Sequence, residues 1–120
     1  MFTLTFDRRH RILLTRVSGA VGSGDVVAMG DAIRRFTARH GPAHDLMDFT
    51  AVSSVAVPIG KLLQQPANGD SGRRRIVVAN GNLVELARTG APESVIVSSI
   101  DEALRRFGAT DSSFEPVDSP

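Results

Sequence analysis

The chain contains no cysteine, no tryptophan, no tyrosine and one lysine, Lys61. Without cysteine it can form no disulfide, no thiolate metal site and no cysteine nucleophile. With only six phenylalanines, most at core-like positions, it lacks the exposed aromatic side chains on which single-stranded nucleic acid stacks. Charge of one sign is also missing: 14 basic and 13 acidic residues leave a formal charge of +1, too little to draw the molecule towards nucleic acid or an anionic membrane. No stretch approaches the ~20 apolar residues of a membrane span. The opening Met1-Phe2-Thr3-Leu4-Thr5-Phe6-Asp7 alternates like a strand and has neither the basic start nor the apolar run of a signal peptide. A cytoplasmic location, with no nucleic-acid partner and no membrane span, is therefore the expectation.

What is present suits one α/β domain. A length of 120 residues, 42% of them hydrophobic, can bury a single core and leaves no room for a second domain. Thirteen of the 14 basic residues are arginine, a bias that fits either anion recognition or a GC-rich genome. The acidic residues Asp111, Glu115 and Asp118 fall after Gly108 with no basic residue among them. Residues 109–120 are expected to be a flexible acidic tail and residues 1–108 the folded domain.

Phe2, Leu4 and Phe6 alternate with threonines, and after the charged turn 7–11 the run Ile12 to Val17 forms a second strand, so a β-hairpin is predicted, ending at Ser18-Gly19. A helix starts near Ser23. Val26, Met29, Ile33, Phe36 and His40 share one of its faces, Asp31 and Arg35 are spaced i,i+4 on another, and Gly41-Pro42 stops it. A short strand His44–Phe49 leads through a loop to Pro58, which opens a helix carrying Ile59, Leu62 and Leu63. Gln65 to Gly72 reads as an exposed loop. The unbroken run Ile76-Val77-Val78-Ala79 suits a strand covered on both faces, placed in the middle of the sheet. Asn80-Gly81-Asn82 turns into a short helix, Ser94–Ser98 is a last strand, and Ser99-Ile100-Asp101-Glu102 matches a capping box before a final helix closed by Gly108. The order β-β-α-β-α-β-α-β-α predicts a mixed, mostly parallel sheet of about five strands with an N-terminal antiparallel hairpin.

Functional loops in such folds lie at the carboxyl ends of the parallel strands. That singles out Asp48, Thr50, Ser53, Ser54, Val55 and Val57 after the third strand, and Asn80 and Asn82 after the fourth. A carboxylate at a strand end can act as a base or metal ligand, but Asp48 fits the commoner role of capping a turn. His40 and His44 are separated by Gly41-Pro42-Ala43, which breaks any helix that would align them for a metal. Val21-Gly22-Ser23-Gly24-Asp25 lacks the third glycine and the lysine of a phosphate loop, and Asp25 would repel phosphate, so it reads as a helix entry. The basic run Arg73-Arg74-Arg75 is either a solvated strand edge or an anion contact. No nucleophile elbow, phosphate loop or dinucleotide fingerprint occurs. No catalytic residue and no cofactor is expected.

Val17-Ser18-Gly19-Ala20-Val21, Leu46-Met47-Asp48-Phe49-Thr50-Ala51-Val52 and Ser99-Ile100-Asp101-Glu102-Ala103-Leu104 resemble the STAS, or anti-sigma-factor-antagonist-like, domain family, and in particular its small stand-alone bacterial STAS/SEC14-like branch. The resemblance covers residues 1–108. In signalling members, an Asp-Ser-Ser-Gly motif with a phosphorylated serine opens the helix after the third strand. Aligned from Asp48, this chain has Ala56-Val57-Pro58-Ile59 there, with no hydroxyl, while Ser53 and Ser54 lie earlier. The resemblance implies a non-enzymatic protein-interaction or regulatory module without that phosphoacceptor, or a carrier of a small apolar, lipid-like ligand in a cavity between sheet and helices, with Asn80 or Asn82 as polar contacts. Val52, Val55, Val57 and Ile59 make the loop apolar enough for burial or for contact with a protein partner, and a homodimer could use the same loop or a sheet edge.

Overall fold

In the computed structural model the chain is described over residues 1–56, 74–81, 83–85 and 95–117. The hairpin forms as the alternation predicts: β1 (Phe2–Asp7) pairs antiparallel with β2 (Ile12–Val21). Its turn is closed by Asp7, whose buried carboxylate accepts from the Arg9 backbone N–H at 2.9 Å and from His10 Nδ1 at 2.8 Å. Helix α1 (Ser23–His40) crosses to β3 (His44–Val55), which lies parallel to β2. β4 (Arg75–Val78) and β5 (Val95–Val97) continue the parallel set, and α2 (Ile100–Phe107) follows. A two-residue strand, β6 (Glu115–Pro116), pairs antiparallel with β1, so the sheet has six strands in the order β5-β4-β3-β2-β1-β6. Both edge strands are short, and β6 pairs with only Thr5 and Phe6 of β1.

Helix α1 is bounded by local chemistry. Asp25 Oδ2 accepts from the Gly22 N–H at 2.9 Å, a bond that holds the Asp25 carboxyl below its ordinary range, with the chain-terminal ammonium at 3.7 Å a smaller contributor. At the other end, Gly41 has φ 84°, a left-handed value that a side chain would resist, and its N–H donates to Thr37 O. Arg11 donates to the carbonyls of His40 (2.6 Å) and Pro42 (3.0 Å), placing a cation at the negative helix end. Asp31 pairs with Arg34 rather than with Arg35, although both spacings suit a helix surface. At α2 the capping box forms by half: Ser99 Oγ accepts from the Glu102 N–H at 3.1 Å, but the Glu102 carboxylate takes the Ser98 hydroxyl at 3.3 Å instead of reaching back to the cap.

The two faces of the sheet carry separate cores. On the α1 face, Val17, Val21, Met47, Phe49 and Val77 pack with Met29, and Phe6 and Leu13 pack with Phe36. On the α2 face, Ile12, Leu14, Leu46, Ile76 and Val78 pack with Ala103 and Ala109. Ile76, Val77 and Val78 are completely buried, as expected of a doubly covered strand, but β4 is second from an edge; β2 and β3 occupy the middle.

Residues 109–117 depart from the expected tail. Gly108 adopts φ 71°, Ala109 is fully buried, Phe114 packs on the α2-side core, and the Val117 N–H donates to Leu4 O at 3.0 Å. Asp111 binds Arg9 at 2.8 Å and His10 Nε2 at 3.2 Å, tying this segment to the hairpin turn. Acidity there complements the basic turn as well as solvating the segment.

The basic run is absorbed in part by the fold. Arg74 lies over the Phe107 ring at 5.3 Å, and Arg75 donates to buried Asp45 at 3.3 Å. Burial pushes the Asp45 carboxyl above its ordinary value, and Arg75 offsets this only in part. The folded protein thus keeps the Asp45 proton to a higher pH than the unfolded chain does. This group's contribution to stability is full below the ordinary carboxylate value of 3.8 and is lost as pH rises through the folded value. Asp45→Asn, which keeps the shape and an acceptor for Arg75, should lie within about 1 kcal/mol of the parent at neutral pH and lack its gain on acidification, whereas Asp45→Ala, which removes one acceptor of the Arg75 guanidinium and leaves a small cavity, should cost about 1–3 kcal/mol. Urea unfolding of the three proteins across about pH 3 to 7 measures both effects.

Candidate functional site

The segment from Phe49 to Val55, expected as a loop, continues β3, and β2 likewise runs past Ser18-Gly19 to Val21. The two strands pair Arg16 with Asp48, Ser18 with Ala51, Gly19 with Val52, Ala20 with Ser54 and Val21 with Val55. Between the first two pairs β3 advances three residues while β2 advances two, and between Gly19 and Ala20 it again gains one. β3 thus carries two bulges, one at Phe49-Thr50 and one at Ser53. A bulge leaves a residue outside the ladder and bends its strand.

Asp48 explains the first bulge. Its Oδ1 accepts from the Thr50 N–H at 2.9 Å and from Thr50 Oγ1 at 2.7 Å, supplying the partner that the bulged backbone loses. Arg16 reaches the other carboxylate oxygen at 3.7 Å from a mostly exposed position and contributes little. Asp48 is therefore a local acceptor, the capping role expected of it.

The bulges also decide which side chains face the core. Simple alternation would bury every second residue, but each extra residue shifts the pattern by one, so Phe49, Val52 and Val55 all meet the α1-side cluster. Phe49 is fully buried; Val52 and Val55 are half-buried against it. Thr50, Ala51, Ser53, Ser54 and Ala56 are left exposed, and Gly19 and Ala20 of β2 are exposed beside them. The result is a strip of small, uncharged residues at the carboxyl ends of the two middle strands, held as β-ribbon. Asn80 is exposed at the carboxyl end of β4, where its carbonyl accepts from the Leu83 N–H. Val57 and Asn82 fall outside the described residues, as do the expected helix with Ile59, Leu62 and Leu63 and the loop from Gln65 to Gly72. Gly19, Ala20, Ala51 and Ala56 were not among the expected site residues; the signal for them is their small size along the carboxyl ends of β2 and β3.

Among the described residues no group of three or more histidine and acidic side chains could hold a metal. Asp7, His10 and Asp111 come closest, but the imidazole lies between the two carboxylates and fills the space they share. His40 stacks on Phe36 at 4.7 Å, while His44 lies 5.5 Å from the Phe107 ring and its Nδ1 accepts from the Arg74 N–H at 3.0 Å, so each is engaged by its own neighbours. No described helix is long and apolar enough to cross a membrane.

Among solved structures, the anti-sigma factor antagonist SpoIIAA in its unphosphorylated form superposes with a TM-score of 0.70 at 15% identity, covering 88% of this chain and 96% of that one. The Bacillus cell-fate determinant SpoIIAA in its phosphorylated form gives 0.66 at 14% identity, covering 88% and 98%. An uncharacterised DUF3478-family protein from Shewanella loihica PV-4, described as having a SpoIIAA-like fold, gives 0.60 at 15%, covering 89% and 92%. No family model and no curated protein sequence matches the chain. The fold is that of a STAS-like domain, a mixed sheet with an N-terminal antiparallel hairpin like that of SpoIIAA.

Removing the Asp48 acceptor tests its role. Asp48→Ala should cost about 1–2 kcal/mol by leaving the Thr50 N–H unsatisfied, while Asp48→Asn should recover most of that because the amide oxygen still accepts. Denaturant midpoints of the two variants make the comparison.

Proposed function

We propose that this chain is a non-enzymatic regulatory module of STAS type that binds a protein partner through the exposed strip Thr50 to Ala56, with Asn80 at its margin. The strip carries the reading: it is a continuous, uncharged, small-residue surface at the strand ends where α/β folds present their functional groups. Its backbone is fixed by two bulges and the Asp48 bonds, so a partner meets a preformed surface and little ordering entropy opposes binding. Val52 and Val55 support the strip from below. SpoIIAA has a phosphorylated form; here Ala56-Val57-Pro58-Ile59 stand where the resemblance places the phosphoacceptor motif, and none carries a hydroxyl. On this reading binding is not switched by phosphorylation at that motif.

Ser53→Arg with Ser54→Arg places two bulky cations on the strip while pointing away from the core. The double variant should keep the parent circular dichroism and melting temperature and lose at least about tenfold in affinity for a partner isolated with the parent protein. Equal affinity would move the interface elsewhere. Val55→Asp should instead lower the melting temperature by about 5 °C or more, since it buries a charge. Light scattering of the parent and double variant identifies the case in which the partner is a second copy.

A further inference from the structure

A cleft of about 440 Å³ opens between α1 and the β1–β6 side of the sheet, within the ~300–1,000 Å³ usual for small-molecule sites. It shares no residue with the strip on β3. Its apolar wall is built from Phe2 and Leu4 of β1, Ala32 and Phe36 of α1, and Pro116 and Val117. The space follows from the packing: Phe36 fills the gap to Phe6 with its ring 4.8 Å away, whereas Ala32, one helical turn earlier, is too small to reach β1. The two-residue β6 closes one side.

The rim is cationic. Arg35 and Arg39 lie one turn apart on α1, both exposed and both lining the cleft, with His40 beside them. The α1 carboxylate that could have neutralised Arg35 is taken by Arg34. Among the described residues neither Arg35 nor Arg39 makes an ion pair, and Glu115, next to Pro116, makes none with them. Apolar walls with two guanidinium groups on the rim match a molecule with a hydrocarbon body and one anionic end. Arginine binds a carboxylate through two parallel N–H bonds.

We propose that this cleft binds a small amphipathic carboxylate, its hydrocarbon body seated on Phe2, Leu4 and Phe36 and its carboxylate between Arg35 and Arg39. The proposal stands apart from the protein-partner reading, since it uses other residues and needs no partner to be tested.

Decanoate is the probe, with decanol as the same body lacking charge and acetate as the head alone. Titration into the 120-residue chain, followed by calorimetry and by amide NMR shifts, should give saturable 1:1 binding of decanoate, with shifts centred on Phe2–Leu4 and Ala32–His40. Decanol and acetate should each bind at least about tenfold more weakly. Arg35→Gln with Arg39→Gln changes only exposed side chains; it should retain the melting temperature, weaken decanoate at least about tenfold and leave decanol unchanged. Ala32→Phe, which fills the cleft, should weaken both decanoate and decanol. Absence of saturable decanoate binding, shifts centred elsewhere, or equal decanoate affinity in the double arginine variant would each overturn the proposal. Stronger binding by dodecyl phosphate than by decanoate, lost in the same variant, would replace the carboxylate with a phosphate head and refute the assignment as stated.

Discussion

A parallel strand in this fold must be covered on both faces, and the other features of the structure accommodate that demand. Ile76, Val77 and Val78 of β4 are wholly out of solvent, and β2 sends Ile12 and Leu14 to one core and Leu13 and Val17 to the other. Neither face can be left to water, so α1 covers one and α2 the other, and the chain must cross from face to face between strands. The antiparallel hairpin needs less cover. β1 sits beyond the middle of the sheet, where α1 packs on it through Phe36 and Ile33 and where the cleft finds its space.

Periodicity reveals elements whose side chains repeat at two or 3.6 residues. The hairpin, α1 and α2 do so, and they lie where their patterns predict them; β4 was marked instead by its unbroken apolar run, which located the strand in sequence but not its place in the sheet. β3 does not. Its first half alternates, but Phe49, Val52 and Val55 reach the core at intervals of three because two bulges each add a residue, a spacing that matches neither strand nor helix and so reads as loop. The turn-capping role of Asp48 was visible because it depends on a residue only two positions away. β6 was not, since its pairing with β1 joins residues more than 100 positions apart and its anchors, Asp111 with Arg9 and His10, are contacts that no local pattern contains. The cleft was hidden for the same reason: it requires β6 to fold back, and Arg35 is uncommitted only because Asp31 takes Arg34.

The strip on β3 and the cleft under α1 differ in the order they impose. The strip is backbone-defined, with small side chains on a ribbon whose shape comes from the bulges. The cleft is defined by side chains from three separate elements, one of them a two-residue strand held by Val117 N–H and the Asp111 contacts. Local opening of that last element would remove one wall and free Val117 from the Phe6–Phe36 cluster, while leaving the clusters around Met47 and Leu46 in place, because Pro116 is exposed and those clusters lie on the other strands.

The bulges also store spare length. Loss of Ser53 would remove one bulge and return Val52 and Val55 to ordinary alternation on the face they already occupy, whereas loss of one residue between Leu46 and Phe49 would send core side chains to the opposite face. Single-residue changes in length are therefore absorbed by the far half of β3 and not by its near half, so related chains can differ in length beside the strip while keeping the same core.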